Sequence, residues 1–130
     1  MILVGTTRIL LYGIDTVEPP QVCQIDRQRW ECWPAVVRQL ETLLGEGPVT
    51  CTAVRPPDPF GRVLSLCEQD GVSLNERMVR SGFAIAVADE MPEYAAIEAA
   101  ARAERIGLWQ GTFQLPDEFR ADRGITVRRP

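Results

Sequence analysis

The chain has 130 residues, 45% of them hydrophobic and 25% charged, a balance that fits one globular domain and excludes a disordered or fibrous protein. All 14 basic residues are arginines and histidine is absent, which excludes a Ser-His-Asp triad and a histidine metal site. The net charge of -4 also argues against a broad nucleic-acid-binding surface.

The N-terminal residues predict a β-hairpin. Residues 1–4 and 7–14 are rich in strand-forming side chains and flank a Gly-Thr turn. The apolar opening stops at Gly5 without a basic start or a cleavage site, so no signal peptide is predicted in this chain. No run approaches the roughly 20 apolar residues of a membrane span.

A loop and a helix are predicted next. Residues 15–24 form a polar, proline-containing loop, and its Asp15 is the first candidate site residue. Pro34 in a first-turn position, apolar side chains on one side and Gly45 as a stop predict an amphipathic helix over residues 34–44.

A second hairpin is predicted from the β-rich residues 49–54 and 63–67, with a proline-containing loop between them. In a symmetric register Cys51 and Cys67 lie opposite each other within reach of a disulfide, and Cys23 and Cys32 then pair locally. An even cysteine count in a small chain favours disulfides in an oxidising compartment. Plain buried thiols and a zinc site are the alternatives, and zinc is disfavoured because no two cysteines stand close together.

Two further helices complete the predicted domain. Ser73 and Glu76 form a capping-box pattern that opens a helix to Arg80, and an alanine-rich helix is predicted over residues 93–106. Two hairpins and three helices predict an α+β domain around a small barrel. We expect the domain to span residues 1–120, with residues 121–130 as a flexible tail and the arginine-rich end from Arg120 solvated.

Four motifs in this order resemble the staphylococcal nuclease family. They are Leu11-Tyr12-Gly13-Ile14-Asp15-Thr16-x-Glu18, Asp58-x-Phe60-Gly61-Arg62, Leu74-Asn75-x-x-Met78-Val79-x-x-Gly82-x-Ala84 and Gly107-Leu108-Trp109. The resemblance runs from Met1 to about Arg120. It implies an α+β, mainly β fold: an OB-fold-like barrel with three helices, its first strand missing from this chain. The cysteine pattern further resembles exported bacterial members, some labelled succinoglycan biosynthesis proteins.

The resemblance also implies roles for residues of this chain. In active members Ca²⁺ polarises a phosphodiester, a glutamate activates water and two arginines stabilise the transition state. By motif position Asp15 and the Thr16 backbone are calcium ligands, Glu18 is the water-activating carboxylate and Arg62 is one of the two arginines. Oxygen ligands and arginine forks suit a hard cation and a phosphate, respectively.

Other positions depart from the family pattern. The family's first calcium aspartate aligns one residue before Met1, and Leu10 stands where the other arginine is expected. Pro59 replaces a basic residue, Phe60 lacks the usual hydroxyl, and Glu90, next to Asp89, places negative charge where a polyanion would lie. Arg8 is the nearest substitute for the missing arginine. We therefore expect Ca²⁺ binding to be weak or absent and an enzymatic role to be in question.

Structural explanations compete with these roles. Asp15 and Glu18 can shape the turn through backbone hydrogen bonds, and Arg62 can pair with either of them to fix the loop. Trp30 and Trp33 can form a ligand-stacking platform, but packing beside the cysteines is the more common role.

The leading functional hypothesis is a nuclease-like domain of the bacterial envelope, periplasm or secreted space with lost or strongly reduced Ca²⁺-dependent activity and a binding or structural role. One alternative is an active nuclease on DNA or RNA whose N-terminal catalytic segment is absent from this polypeptide. The other is a single-strand nucleic-acid-binding module, which the acidic residues disfavour. Self-association through the open strand edge is the partner hypothesis.

Overall fold

The computed structural model describes residues 2–124, which contain four α-helices and nine short strands. The helices are α1 (Cys32–Leu43), α2 (Leu74–Arg80), α3 (Tyr94–Glu104) and α4 (Pro116–Asp122). The strands are β1 (Ile2–Val4), β2 (Thr7–Leu11), β3 (Ile14–Asp15), β4 (Cys23–Ile25), β5 (Gln28–Trp30), β6 (Val49–Ala53), β7 (Arg62–Gln69), β8 (Val72–Ser73) and β9 (Ile85–Ala86). A single 3-10 turn covers Gly107–Gln110.

The main sheet is mixed and curls into a half-barrel. Its strand order is β1-β2-β7-β6, and β8 also pairs with β7. β1 runs antiparallel to β2, and β6 runs antiparallel to β7, whereas β2 and β7 are parallel. The predicted α+β, OB-like fold class is thereby confirmed.

The second strand of the first hairpin ends earlier than predicted. β2 stops at Leu11, and the chain turns at Gly13, whose φ of +84° is a left-handed conformation that favours glycine. A Cβ at Gly13 would lie 2.4 Å from Cγ of Met91, so a larger residue does not fit there. After this turn β3 leaves the main sheet and pairs with β9, which places Asp15 opposite Ile85.

The predicted first three helices are present with small changes at their ends. α1 begins at Cys32, two residues before Pro34, and α3 spans Tyr94–Glu104. At α2 the Ser73 hydroxyl accepts a hydrogen bond from the Glu76 amide at 3.1 Å, as the capping pattern predicts.

The core lies between the half-barrel and the helices. One cluster joins Ile14 and Val17 to α1, α2 and α3, and a second joins Ile9 and Cys67 to Leu74. The buried Asn75 amide accepts a hydrogen bond from the Cys67 N–H and donates to the carbonyls of Tyr12 and Ser65. This side chain therefore ties α2 to the sheet without leaving a buried polar atom unpaired.

Both expected disulfides are present. Cys51 and Cys67 are directly opposed in the β6–β7 register, and Cys23 is bonded to Cys32. The symmetric hairpin register predicted from the sequence is thus confirmed. The second bond links β4 to the start of α1.

The expectation of three helices is wrong, because residues 116–122 form the additional helix α4. Arg120 is not part of a solvated tail, since it is buried within this helix and only 4% exposed. The expected domain boundary at Arg120 falls inside α4, and residues 125–130 lie outside the described residues. Within residues 2–124 no helix is long and apolar enough to cross a membrane.

We predict that the Cys51–Cys67 bond contributes substantially to stability. The bond closes a loop of sequence separation 16, and a loop of about that length is worth about 3 kcal/mol in the unfolded-chain entropy model. The double variant Cys51→Ser/Cys67→Ser should lose about that much free energy of unfolding in urea titrations. Thiol titration of denatured, unreduced wild-type protein should detect no free cysteine, and four free thiols would contradict the bond assignment.

Candidate functional site

The loop after β3 carries two buried carboxylates that share one arginine. Arg120 donates to Asp15 through both terminal nitrogens, at 2.6 Å to Oδ2 and 3.2 Å to Oδ1. Its Nη1 also donates to Oε1 of Glu18 at 2.9 Å. Asp15 and Glu18 are each 6% exposed, so all three charges are withdrawn from solvent.

This arrangement fixes the charge state of Arg120. Burial lowers the pKa of its guanidinium, but hydrogen bonds and charges from Asp15 and Glu18 outweigh that effect and raise the pKa above its ordinary value. The forked contact to Asp15 is the strong bidentate geometry of arginine with a carboxylate. The guanidinium therefore acts as a fixed positive charge between two negative ones.

Core contacts and hydrogen bonds of the Gln21 side chain position α4. Pro116 and Phe119 are buried on the same helix as Arg120. The Gln21 side chain accepts from the Glu18 amide at 3.1 Å and donates to the Gln114 carbonyl at 2.6 Å. Gln21 thus joins the loop that carries Glu18 directly to the segment that leads into α4.

A backbone bridge at Thr112 also holds the C-terminal segment, upstream of α4. Gln24 and Thr112 exchange two N–H to carbonyl hydrogen bonds, each 2.9 Å long. A Cβ at Gly111 would lie 1.7 Å from the Gln24 carbonyl oxygen, so glycine is required for this close approach. The C-terminal segment is therefore fastened to β4 before it reaches Arg120.

Arg62 faces a different carboxylate from the one expected. Its Nε donates to Oδ2 of Asp58 at 2.8 Å, and its backbone N–H donates to Oδ1 of the same residue. Arg62 therefore fixes the proline-containing loop by pairing with Asp58 instead of Asp15 or Glu18. Its guanidinium also lies 5.3 Å from the centre of the Phe60 ring.

The pKa of Asp58 reflects these contacts. Desolvation raises the pKa, but hydrogen bonds from the backbone and side chain of Arg62 and from the Phe60 amide outweigh it. The net effect holds the pKa of Asp58 below its usual value.

The positions that depart from the family pattern lie around this loop. Leu10 is buried at 4% exposure, and Arg8 is exposed and donates to the Phe60 carbonyl. Pro59 is exposed, and Phe60 is 58% exposed. The side chains beside Arg62 therefore include a leucine and no additional hydroxyl group.

Glu90 binds the turn that precedes β3. Its Oε1 accepts from the Gly13 amide at 3.1 Å, and its Oε2 lies 3.5 Å from Nη2 of Arg55. Glu90 thus pairs with an arginine that would otherwise add positive potential to the cleft lined by Arg55, Arg62 and Leu10.

Thr16 and the two tryptophans have structural contacts. The Thr16 hydroxyl donates to the Phe83 carbonyl at 2.7 Å, and the Thr16 amide donates to Asp15. Trp30 and Trp33 pack against the core cluster. These contacts agree with the turn-shaping and packing explanations for the residues.

A scan against protein-family models matches residues 8–111 to the model described as staphylococcal nuclease homologue. The chain belongs to the staphylococcal nuclease family. No curated protein matches it. Asp15, Glu18 and Arg62 lie within the matched residues, whereas Arg120 of this family member lies beyond them.

Arg120 is the site residue that sequence reasoning missed. Pro116 followed by Asp117 and Glu118 is a helix-start pattern, so α4 itself had a local signal. No local signal linked Arg120 to its partner, because Asp15 stands 105 positions earlier in the chain.

The residues present do not fit the Ca²⁺ on which the nuclease family generally depends. Calcium takes about six to eight oxygen ligands, whereas the pocket offers Asp15 and Glu18 with a guanidinium already bound between them. Residues 2–124 contain no group of three or more acidic, cysteine or histidine side chains placed to hold a metal ion.

We predict that Arg120→Ala strongly destabilises the fold. Removing one partner of a buried ion pair leaves an uncompensated charge and costs on the order of 3–5 kcal/mol. Urea unfolding monitored by tryptophan fluorescence measures the loss. Arg80→Ala is the matched control, because Arg80 forms an exposed pair with Glu76 and its loss should cost at most about 1 kcal/mol.

A neutral replacement of the whole cluster tests the same explanation if the single variant does not fold. Asp15→Asn/Glu18→Gln/Arg120→Met removes all three charges, so it should recover much of the lost stability. A loss for Arg120→Ala no larger than that for Arg80→Ala would contradict the central role of the ion pair.

We predict that the Asp58 carboxyl titrates below 3.8, its ordinary value. Because the folded-state pKa is lowered, the stabilisation from Asp58 is present above that ordinary value and is lost as the pH falls through the folded-state pKa. Carbon-detected NMR titration measures the midpoint, and Arg62→Met should raise it. Arg8→Met should leave it unchanged, because Arg8 donates to the Phe60 carbonyl and not to Asp58.

Proposed function

We propose that this domain has lost efficient Ca²⁺-dependent phosphodiester hydrolysis and has a binding or structural role. The observation that carries the proposal is the Arg120 guanidinium between Asp15 and Glu18. A carboxylate held in a buried ion pair is a poor base for water and a poor ligand for a second cation, because both functions need its lone pairs.

Charge supports the same conclusion. Arg120 contributes its positive charge to the carboxylates, where it compensates them, and its terminal nitrogens are committed to those oxygens. On the phosphate side Arg62 is paired with Asp58, and Leu10 offers no donor. Removing a single group that stabilises such a transition state commonly costs about 10²–10³ in rate.

The two disulfides support a location outside the cytoplasm, such as the periplasm, the envelope or the secreted space. Disulfides persist in oxidising compartments and are rare in the cytosol, where thiols are kept reduced. Both bonds of this chain are internal, and the described residues contain no free cysteine.

We predict that any metal-dependent turnover of single-stranded DNA or RNA by the wild-type protein at millimolar Ca²⁺ is more than about 100-fold slower than that of an active family member. An active staphylococcal nuclease assayed beside it is the reference. Turnover within about 100-fold of that enzyme would contradict the proposal, because the missing groups should together cost more.

Two double variants test whether Arg120 prevents Asp15 and Glu18 from acting in hydrolysis. Leu10→Arg/Arg120→Ala frees the carboxylates and adds a phosphate donor, so any residual activity should rise. Leu10→Arg/Arg80→Ala is the matched control, because it adds the same arginine at position 10 and leaves Arg120 in place. Calcium titration by calorimetry provides a readout independent of activity: Arg120→Ala, used at a temperature where circular dichroism shows it folded, should bind Ca²⁺ more tightly than the wild type.

A gel shift of a labelled oligonucleotide at low salt tests the single-strand-binding alternative. We expect no shift, since the cleft beside Arg62 pairs its arginines with Asp58 and Glu90. A shift that disappears with added salt would favour that alternative.

A further inference from the structure

The disulfide between Cys23 and Cys32 lies under the C-terminal segment, residues 111–124. Both cysteines are buried, at 1% and 0% exposed, respectively. Phe113 of the C-terminal segment packs against the core cluster that contains both of them. The segment therefore helps to keep solvent away from this part of the core.

Two glutamines beside the disulfide fasten the C-terminal segment to the rest of the domain. The side chain of Gln21 donates to the Gln114 carbonyl at 2.6 Å. Gln24 exchanges two backbone hydrogen bonds with Thr112, each 2.9 Å long. The position of the segment therefore depends on how firmly the two glutamines are held.

The disulfide fixes the short stretch that carries both glutamines. Cys23 stands between Gln21 and Gln24 in the sequence, and Sγ of Cys32 lies 3.6 Å from the Gln21 carbonyl oxygen. Cys32 is the first residue of α1, so the bond ties the stretch to a helix. Without the bond, residues 21–24 would gain backbone freedom, and each contact that they make would cost more conformational entropy.

The same attachment holds Arg120 in place. The segment that starts at the backbone bridge of Thr112 leads into α4, where Arg120 pairs with Asp15 and Glu18. α4 has seven residues and is too short to be a stable helix by itself. Loosening the attachment would therefore weaken the contact of the guanidinium with both carboxylates.

We propose that the Cys23–Cys32 bond is a redox-sensitive attachment for the C-terminal segment. In the oxidised protein the segment is held down, and Arg120 stays between Asp15 and Glu18. Reduction of the bond releases the segment and separates Arg120 from both carboxylates. This inference does not depend on the proposed loss of hydrolysis, because it concerns the docking of the segment and its readouts do not involve turnover.

A dithiol is the class of reductant that completes this reaction. One of its thiolates attacks a sulfur of the bond to form a mixed disulfide, and its second thiol then displaces that sulfur. The dithiol leaves as a cyclic disulfide, and Cys23 and Cys32 become thiols by taking up two electrons and two protons. Attack on sulfurs as deeply buried as these requires the segment to open first. Because opening and reduction are linked, each promotes the other.

Hydrogen exchange read by mass spectrometry tests the effect of the bond on the segment. Cys23→Ser/Cys32→Ser should speed the exchange of α4 amides relative to α2 amides by at least about tenfold, a factor common for coupled sites. Cys51→Ser/Cys67→Ser is the matched control, because it removes the disulfide between β6 and β7. The control should not speed α4 relative to α2.

The rate of reduction tests the reverse effect with all cysteines in place, so it serves even if the serine variant does not fold. A Cβ at Gly111 would lie 1.7 Å from the Gln24 carbonyl oxygen, so Gly111→Ala should break the backbone bridge. Dithiothreitol treatment followed by differential alkylation measures the reduction of each disulfide. In this variant the Cys23–Cys32 bond should be reduced at least about tenfold faster, relative to the other disulfide, than in the wild type.

Gly47→Ala is the matched control for the glycine variant. A Cβ at Gly47 would lie 3.6 Å from its nearest neighbour, an oxygen of Asp70, which is an ordinary van der Waals contact. This substitution should leave the relative reduction rates of the two disulfides as they are in the wild type.

Two results would each overturn the proposal. If α4 amides follow α2 amides in Cys23→Ser/Cys32→Ser, the bond stabilises the whole domain and does not act on the segment. If Gly111→Ala speeds the reduction of both disulfides equally, or of neither, the segment does not control access to the Cys23–Cys32 bond.

Discussion

Two ionised carboxylates are costly to bury side by side unless positive charge lies within reach of both, because each ionised group otherwise raises the cost of the other. Arg120 meets this requirement for Asp15 and Glu18 from the far end of the chain. α4 has seven residues, too few for a stable helix in isolation. Its place therefore depends on Pro116, Phe119 and the ion pair, and the ion pair depends on the helix in return.

The acidic and the basic residues of the candidate site have separate internal partners in this chain. Arg120 compensates Asp15 and Glu18, and Asp58 compensates Arg62. A transition state that gains negative charge needs donors that are free to strengthen their contacts as the reaction proceeds. In this arrangement Arg62 and Arg120 already have protein acceptors, so they serve the stability of the fold, in line with the proposed loss of hydrolysis.

Much of the fold could be predicted because its signals are local. The Ser73 cap lies three residues from Glu76, and the opposed cysteines follow from the register of one hairpin. The parallel pairing of β2 with β7 and the early exit of the chain at Gly13 depend on tertiary contacts, including the approach of Met91. The resemblance identified Asp15 and Glu18, but the arginine that binds them comes from residues beyond the family match.

The close approach of Gly111 to Gln24 also defines where this protein can be divided. The matched family region ends at that glycine, yet the next residue, Thr112, pairs with Gln24, and the segment that follows carries the Arg120 that binds both acids. A fragment cut at the edge of the homology would keep Asp15 and Glu18 and discard their counterion. The smallest unit that keeps the charge balance of this chain therefore extends through the last helical turn, past the limit that family similarity alone would set.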